Sequence, residues 1–194
     1  MNPAARGAHG MPGVPSADFR AAMRQLSGGV SVITTGRGND ISGMTATSVA
    51  SLSVDPASLI VSINRQSSSW PILLRHRSFG VNILNAGQRD VAERFTGRDG
   101  SKGRDRFAGA RWTTLVSGVP LLVDALAAVD CKVEEIIERH SHGIVIGRVL
   151  ETLVSRSTSA LAYWQGQYVA IGQNEDAVKL AEVSLPPARA VWGD

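Results

Sequence analysis

Two hydroxyl-rich segments and one histidine pair hold most of the chemistry this chain can do. Thr45, Thr47, Ser48, Ser51 and Ser53 crowd one short stretch that opens Gly43-Met44-Thr45-Ala46-Thr47-Ser48 and otherwise reads as a strand. A buried strand normally fills such positions with Val, Ile or Leu, because an unpaired buried hydroxyl costs free energy. Hydroxyls and backbone amides concentrated there suit a polar, planar ligand with a phosphate tail. A second segment, Asn64-Arg65-Gln66-Ser67-Ser68-Ser69-Trp70, follows one strand later. It combines hydroxyls, amides at a helix start and a cation, which together make a phosphate site. The two segments predict one shared small-molecule site. His140 and His142 form an H-x-H pair that, on a strand, presents both imidazoles on one face. A metal would need further ligands, and the neighbouring sequence supplies none, so no metal is expected.

The elements that must position these residues are mostly strands. Phe19, Ala22, Met23 and Leu26 follow helical spacing and predict an amphipathic helix over 17–26, stopped by Ser27-Gly28-Gly29. Val30–Thr35 is a β-branched strand closed by a turn at 36–40. Ser58–Ile63 is another strand, set off by the turn at Asp55-Pro56. Ser69 is placed to cap a short helix through Arg77, with Pro71 in the first turn, where it is tolerated. Phe79–Leu84 reads as a strand, 87–95 as a helix, Ala127–Arg139 and Gly143–Leu150 as long strands, 157–164 as a helix and Tyr168–Ile171 as a last strand. There is no regular βαβ alternation, no GxGxxG after a strand and no P-loop. The fold class is therefore mainly β: a β-barrel with flanking helices.

Composition narrows the classes further. A chain of 194 residues fits one domain over 16–173, with a Gly/Pro/Ala-rich leader at 1–15 and a tail at 174–194 broken by Pro186-Pro187. The net charge is only +3, and the densest basic block, Arg98 to Arg106, is interrupted by aspartates, so it reads as a solvated loop and not a nucleic-acid surface. No apolar run reaches membrane-spanning length and nothing resembles a secretory signal, so a soluble cytoplasmic protein is expected. Cys131 is alone and reads as a small core residue, and Trp70 as core packing.

From Phe19 to Ile171 the chain resembles the flavin reductase-like family, the split-barrel FMN-binding reductases of two-component monooxygenases. The resemblance runs through Gly29–Thr35, Gly43–Ser48, Leu52–Pro56, Asn64 with Ser67–Trp70, Phe79–Leu84, Arg106-Phe107-Ala108-Gly109, Pro120–Leu122, Ala125–Ala127, Cys131 and His142–Val149. It implies a split β-barrel homodimer with FMN or FAD near the subunit interface and NADH or NADPH as hydride donor. It also implies that reduced flavin diffuses to a partner monooxygenase. Met44, Thr45, Ala46, Thr47 and Ser48 match the segment lining the flavin ring and ribityl chain. Ser62, Ile63, Asn64, Arg65, Ser67, Ser68 and Ser69 match the second wall and phosphate cradle, and Asn85, Gln88 and Phe95 match positions closing the pocket. His142, flanked by Ser141 and Gly143, falls where the family carries Gly-Asp-His and the histidine faces the nicotinamide. Here the triplet is His140-Ser141-His142, and the missing Asp leaves the histidine's tautomer and the choice of NADH over NADPH open. Arg98, Lys102, Arg104 and Arg106 would suit a 2′-phosphate. With the cofactor carrying the chemistry, the absence of an acid/base dyad or nucleophilic triad is expected. A non-enzymatic flavin carrier, or a flavoprotein acting directly on an organic substrate, fits the same barrel.

Overall fold

The computed structural model describes residues 13–172. Most of the expected leader and the whole tail, with Val191 and Trp192, lie outside the described residues.

Helix α1 (Ser16–Met23) leads into a two-residue strand β1 (Gly28–Gly29), then β2 (Ser31–Arg37), β3 (Asp40–Ala46), β4 (Val49–Val54) and β5 (Ala57–Asn64). Helix α2 (Trp70–His76) precedes β6 (Ser78–Ile83), and a 3-10 turn at Ala86–Gln88 runs into α3 (Arg89–Phe95). A second 3-10 turn at Gly103–Phe107 and the short strands β7 (Trp112–Thr113) and β8 (Leu121–Leu122) come next. The chain finishes with β9 (Ala127–Arg139), β10 (His142–Val154), β11 (Ser159–Trp164) and β12 (Gln167–Gly172). Among the described residues no helix is long and apolar enough to cross a membrane.

The main sheet has the order β3-β2-β6-β9-β10-β5-β4, all neighbours antiparallel. Its two edges, β3 and β4, are joined by Thr47 and Ser48 alone. Across a flat seven-stranded sheet those edges would stand about 29 Å apart, whereas the link from Ala46 to Val49 spans at most about 11 Å. The sheet must therefore curl on itself, leaving a seam between β3 and β4. Register breaks at Ile146/Gly147 and Val149/Glu151 bend the long β9–β10 hairpin, the usual device for such curvature. Gly147 is required there because the ring of Phe79 lies where a side chain would start.

Strand β2 is buried from Ser31 to Gly36 because both its faces are covered. Ile33 joins the cluster with Val61, Trp70, Leu73, Phe79 and Val145, while Val32 joins Leu84, Val91, Phe95, Phe107 and Leu161 under α3. Cys131 is fully buried, and desolvation, then the neighbouring Asp130, pushes its thiol up to about 12. Asp130 accepts from the Ser117 amide at 2.7 Å and from the Ser117 hydroxyl. Asn82, also fully buried, donates to the Val32 carbonyl at 2.9 Å and accepts from the Leu122 amide at 2.6 Å, tying β8 to the sheet.

Four expectations need correction. Residues 159–164 are strand β11, not a helix: Gly28 and Gly29 pair with Tyr163 and Ala162, and β12 pairs with the other side. Tertiary pairing overrides a run, Ala160 to Trp164, whose composition tolerates a helix. The hydroxyl-rich run is not one strand, since the pairing stops at Ala46 and resumes at Val49. Ser69 sits at the N-cap position of α2 but caps nothing, because its hydroxyl pairs with the buried Ser42 hydroxyl at 3.0 Å. Finally, α1 ends at Met23 and buries none of its residues.

Asn82→Ala would strand a buried amide and a buried carbonyl together, so a stability loss of about 2–4 kcal/mol is expected in urea unfolding. A loss below about 1 kcal/mol would mean water replaces the side chain.

Candidate functional site

A cavity of about 650 Å³ opens where β3 ends and its link to β4 begins, within the range of small-molecule sites. Its walls are Met44, Thr45, Ala46 and Thr47 at the end of β3, and Asn64, Gln66, Ser67 and Ser68 after β5. Phe95, Thr96, Arg98, Lys102 and Arg106 come from α3 and the loop beyond it, and Val30, Tyr163 and Tyr168 complete the lining. Three cations and no carboxylate line this cavity. Such a wall favours an anionic ligand.

The local hydrogen bonds show which groups are already committed. The Thr45 hydroxyl donates to the Ala92 carbonyl at 2.6 Å, fixing β3 against α3. The Ser48 hydroxyl donates to the Ser62 carbonyl at 2.9 Å, fixing the seam on β5. Arg106 donates to Gly43 O at 2.6 Å and Ser101 O at 3.0 Å, holding its loop down on β3. Arg98 and Lys102 have no side-chain partner among the described residues. The Ser67 hydroxyl is buried and likewise has none. An unpaired buried hydroxyl beside an acid-free cavity calls for an explanation, and a bound acceptor supplies one.

The structure brings Met44, Thr45, Ala46, Thr47, Asn64, Ser67, Ser68 and Phe95 together on one cavity. It does not bring the other expected residues there. Arg65 turns outward, bonding Glu138 at 2.6 Å and His140 O at 3.2 Å. Asn85 and Gln88 close a capping box on each other and both donate to Asp124 O, at 2.8 and 3.0 Å. Ile63 is in the barrel core, and Ser62 offers only its carbonyl, to Ser48. Gly143 is kept bare by the ring of Trp70, which is itself core packing as expected. His142 begins β10 exposed, directly opposite Asn64 in the β5–β10 register, and its Nδ1 lies 2.9 Å from the Ser141 hydroxyl. His140 stands in the turn at φ 50°, not on the strand, so the two imidazoles do not share a strand face. Arg104 pairs with Asn39 and leaves this cavity to its neighbours.

Sequence reasoning missed Val30, Thr96, Tyr163 and Tyr168, and named Gln66 only as part of its segment. The two tyrosines lie opposite each other in the β11–β12 register, rings 5.2 Å apart. Reading 157–164 as a helix hid that pairing. Burial first, then the Glu93 carboxylate and Tyr163, raises the Tyr168 phenol above its ordinary value, so it stays a protonated donor.

The family model for a flavin reductase like domain matches residues 23–172. This chain belongs to the flavin reductase-like family. The Rhizobium rhizogenes strain K84 protein named FMN reductase (NADH) RutF 2 is 35% identical over 165 residues, covering 82% of this chain and 94% of that protein. BorF, the flavin reductase component of a bacterial two-component tryptophan halogenase, superposes with a TM-score of 0.76 at 30% identity, covering 82% of this chain and all of BorF. The NADH:FAD oxidoreductase SgcE6 of Streptomyces globisporus C-1027 gives 0.76 at 25% identity, covering 86% of this chain and 99% of that one. The expected family and split-barrel architecture hold.

The donor set at the seam fits a flavin phosphate: a spare hydroxyl, unpaired cations and no opposing acid. Because the Ser67 hydroxyl is unsatisfied without ligand, Ser67→Ala should leave ligand-free stability unchanged or raise it by up to about 1 kcal/mol. A clear loss in thermal or urea unfolding would show that this hydroxyl has a protein partner.

Proposed function

We propose that this protein is an NADH-dependent flavin reductase that supplies reduced flavin to a separate monooxygenase. The observation that carries the reading is the acid-free, cation-lined cavity, with its unpartnered Ser67 hydroxyl, at the seam of a flavin reductase-like barrel. The short side chains of Thr45, Ala46 and Thr47 would face the flavin ring, with Met44 beside them. Ser67, Ser68, Lys102 and Arg106 would hold the phosphate, as hydroxyls and cations hold anions elsewhere. When bound, the flavin supplies the redox chemistry, taking two electrons from NADH.

His142 is the strand partner of Asn64, a cavity residue, and this pairing supports a role in orienting an incoming nicotinamide. An ionised Asp at position 141 would only accept a hydrogen bond from imidazole Nδ1. The Ser141 hydroxyl both donates and accepts, so it supports either tautomer and leaves Nε2 free to be donor or acceptor. The barrel also carries exposed apolar residues, Phe19 and Met23 on α1 and Leu26 just beyond it, and their cover is best supplied by a second copy in a homodimer. The lone buried thiol suits a reducing, cytoplasmic setting.

Mixing the protein with NADH and excess FMN or FAD, and following loss of NADH absorbance, tests the reading. Turnover saturating with free flavin is expected, and none despite flavin binding would leave a carrier. Ser67→Ala should weaken FMN by about 3- to 10-fold, the worth of one hydrogen bond. His142→Ala should lower kcat/KM for NADH by about tenfold while FMN affinity stays put. Loss of FMN binding in that variant would instead make the histidine part of the flavin cradle.

A further inference from the structure

Arg65 is not part of the cavity wall, yet its neighbours on both sides, Asn64 and Gln66, line the cavity together with Ser67 and Ser68. Three contacts of Arg65 reach the turn between β9 and β10. Its guanidinium pairs with the Glu138 carboxylate at 2.6 Å and donates to the His140 carbonyl at 3.2 Å. Its backbone amide donates to the Ser141 carbonyl at 2.9 Å. Arg139, the other cation of that turn, donates to the Glu138 carbonyl at 2.8 Å and leaves the carboxylate to Arg65. The three partners belong to the stretch that leads the chain into His142.

That turn needs an outside hold. His140 keeps left-handed backbone at φ 50°, which a residue with a side chain sustains only when its surroundings fix it. The β5–β10 register ends at the Asn64–His142 pair, so no further ladder pair joins the turn to β5. The other end of the contact is firm. Asn64 Oδ1 accepts from the Gln66 amide at 2.9 Å, the Asn64 carbonyl from the Ser67 amide at 3.0 Å, and the Ser67 carbonyl from the Trp70 amide at 3.1 Å. Trp70 is buried in the core, so the segment is anchored there. On the turn, the Ser141 hydroxyl lies 2.9 Å from the His142 Nδ1, so the ring moves with the backbone that Arg65 grips.

A half-exposed ion pair adds little to folding, but a planar guanidinium contacting two acceptors fixes a direction. We propose that Arg65 is a positioning residue for His142: it clamps the β9–β10 turn to the cavity wall and sets where the imidazole stands relative to a ligand in the cavity. It acts through the Glu138 carboxylate and the His140 carbonyl and touches no reacting atom. The inference rests on the role given to His142 under the flavin reductase reading, and adds the device that places that side chain.

Nuclear magnetic resonance of the full chain reads the ring without turnover. The His142 imidazole signal, assigned by its loss in His142→Ala, should shift or broaden in Arg65→Ala and in Glu138→Ala. In NADH oxidation with excess FMN, Arg65→Ala should lower kcat/KM for NADH by about 3- to 5-fold, less than removal of the imidazole itself, while FMN affinity stays within about twofold. In the His142→Ala background the same substitution should cost nothing more, because it acts only through that ring. Three results would overturn the inference: an unmoved His142 signal in Arg65→Ala, equal weakening of FMN and NADH, or losses that multiply when the two substitutions are combined. Lack of NADH turnover in the unaltered protein would remove the reductase reading, while the His142 signal would still decide whether Arg65 places the ring, so the two fail separately.

Discussion

The two-residue link Thr47-Ser48 is the constraint on which the rest of this structure depends. It holds together two sheet edges that hydrogen bonding alone would leave far apart, and so it dictates closure, curvature and the seam. A seam without a ladder exposes backbone at the mouth of a hydrophobic barrel, a position that is costly unless something covers it. Thr45 and Ser48 anchor the two sides by bonding across to α3 and β5. What remains between them is the cavity. The candidate site thus starts from an incomplete closure at the end of β3, and α3, the loop after it and the β11–β12 tyrosines complete its wall.

Charge then decides what the gap accepts. The acidic residues on and after α3 are drawn into pairs with Arg89 and Arg94 or into the turn at Ser101, while the seam keeps its cations. A polar wall open to solvent would hold a phosphorylated ligand without enclosing it, as the proposed hand-over of flavin to a second enzyme requires.

Much of this was legible in the sequence, for identifiable reasons. The β-branched runs at 30–35, 58–63 and 79–84 became strands because each is apolar on both faces or on alternate ones. The hydroxyls of Thr47 and Ser67 marked the cavity wall, whereas Thr45, equally polar, spends its hydroxyl on the Ala92 carbonyl. Other site assignments failed where local chemistry competed for the same side chain. Arg65 has the right charge, but Glu138 and a turn carbonyl lie nearer. Asn85 and Gln88 have the right polarity, but capping a 3-10 turn consumes them. Tyr163 and Tyr168 were invisible because their meeting depends on strand pairing across a hairpin whose first strand carries no β-branched residue.

The Arg106 guanidinium both lines the cavity and fastens the loop that brings Arg98 and Lys102 to it. The fastening lies at the base, on Gly43 and Ser101, while the stretch between is punctuated by glycines at 97, 100 and 103 in left-handed backbone. Such a segment tolerates insertion and exchange at its tip with little effect on the body. Exchanges at that tip would alter the charge lining the cavity while leaving the barrel's core contacts in place.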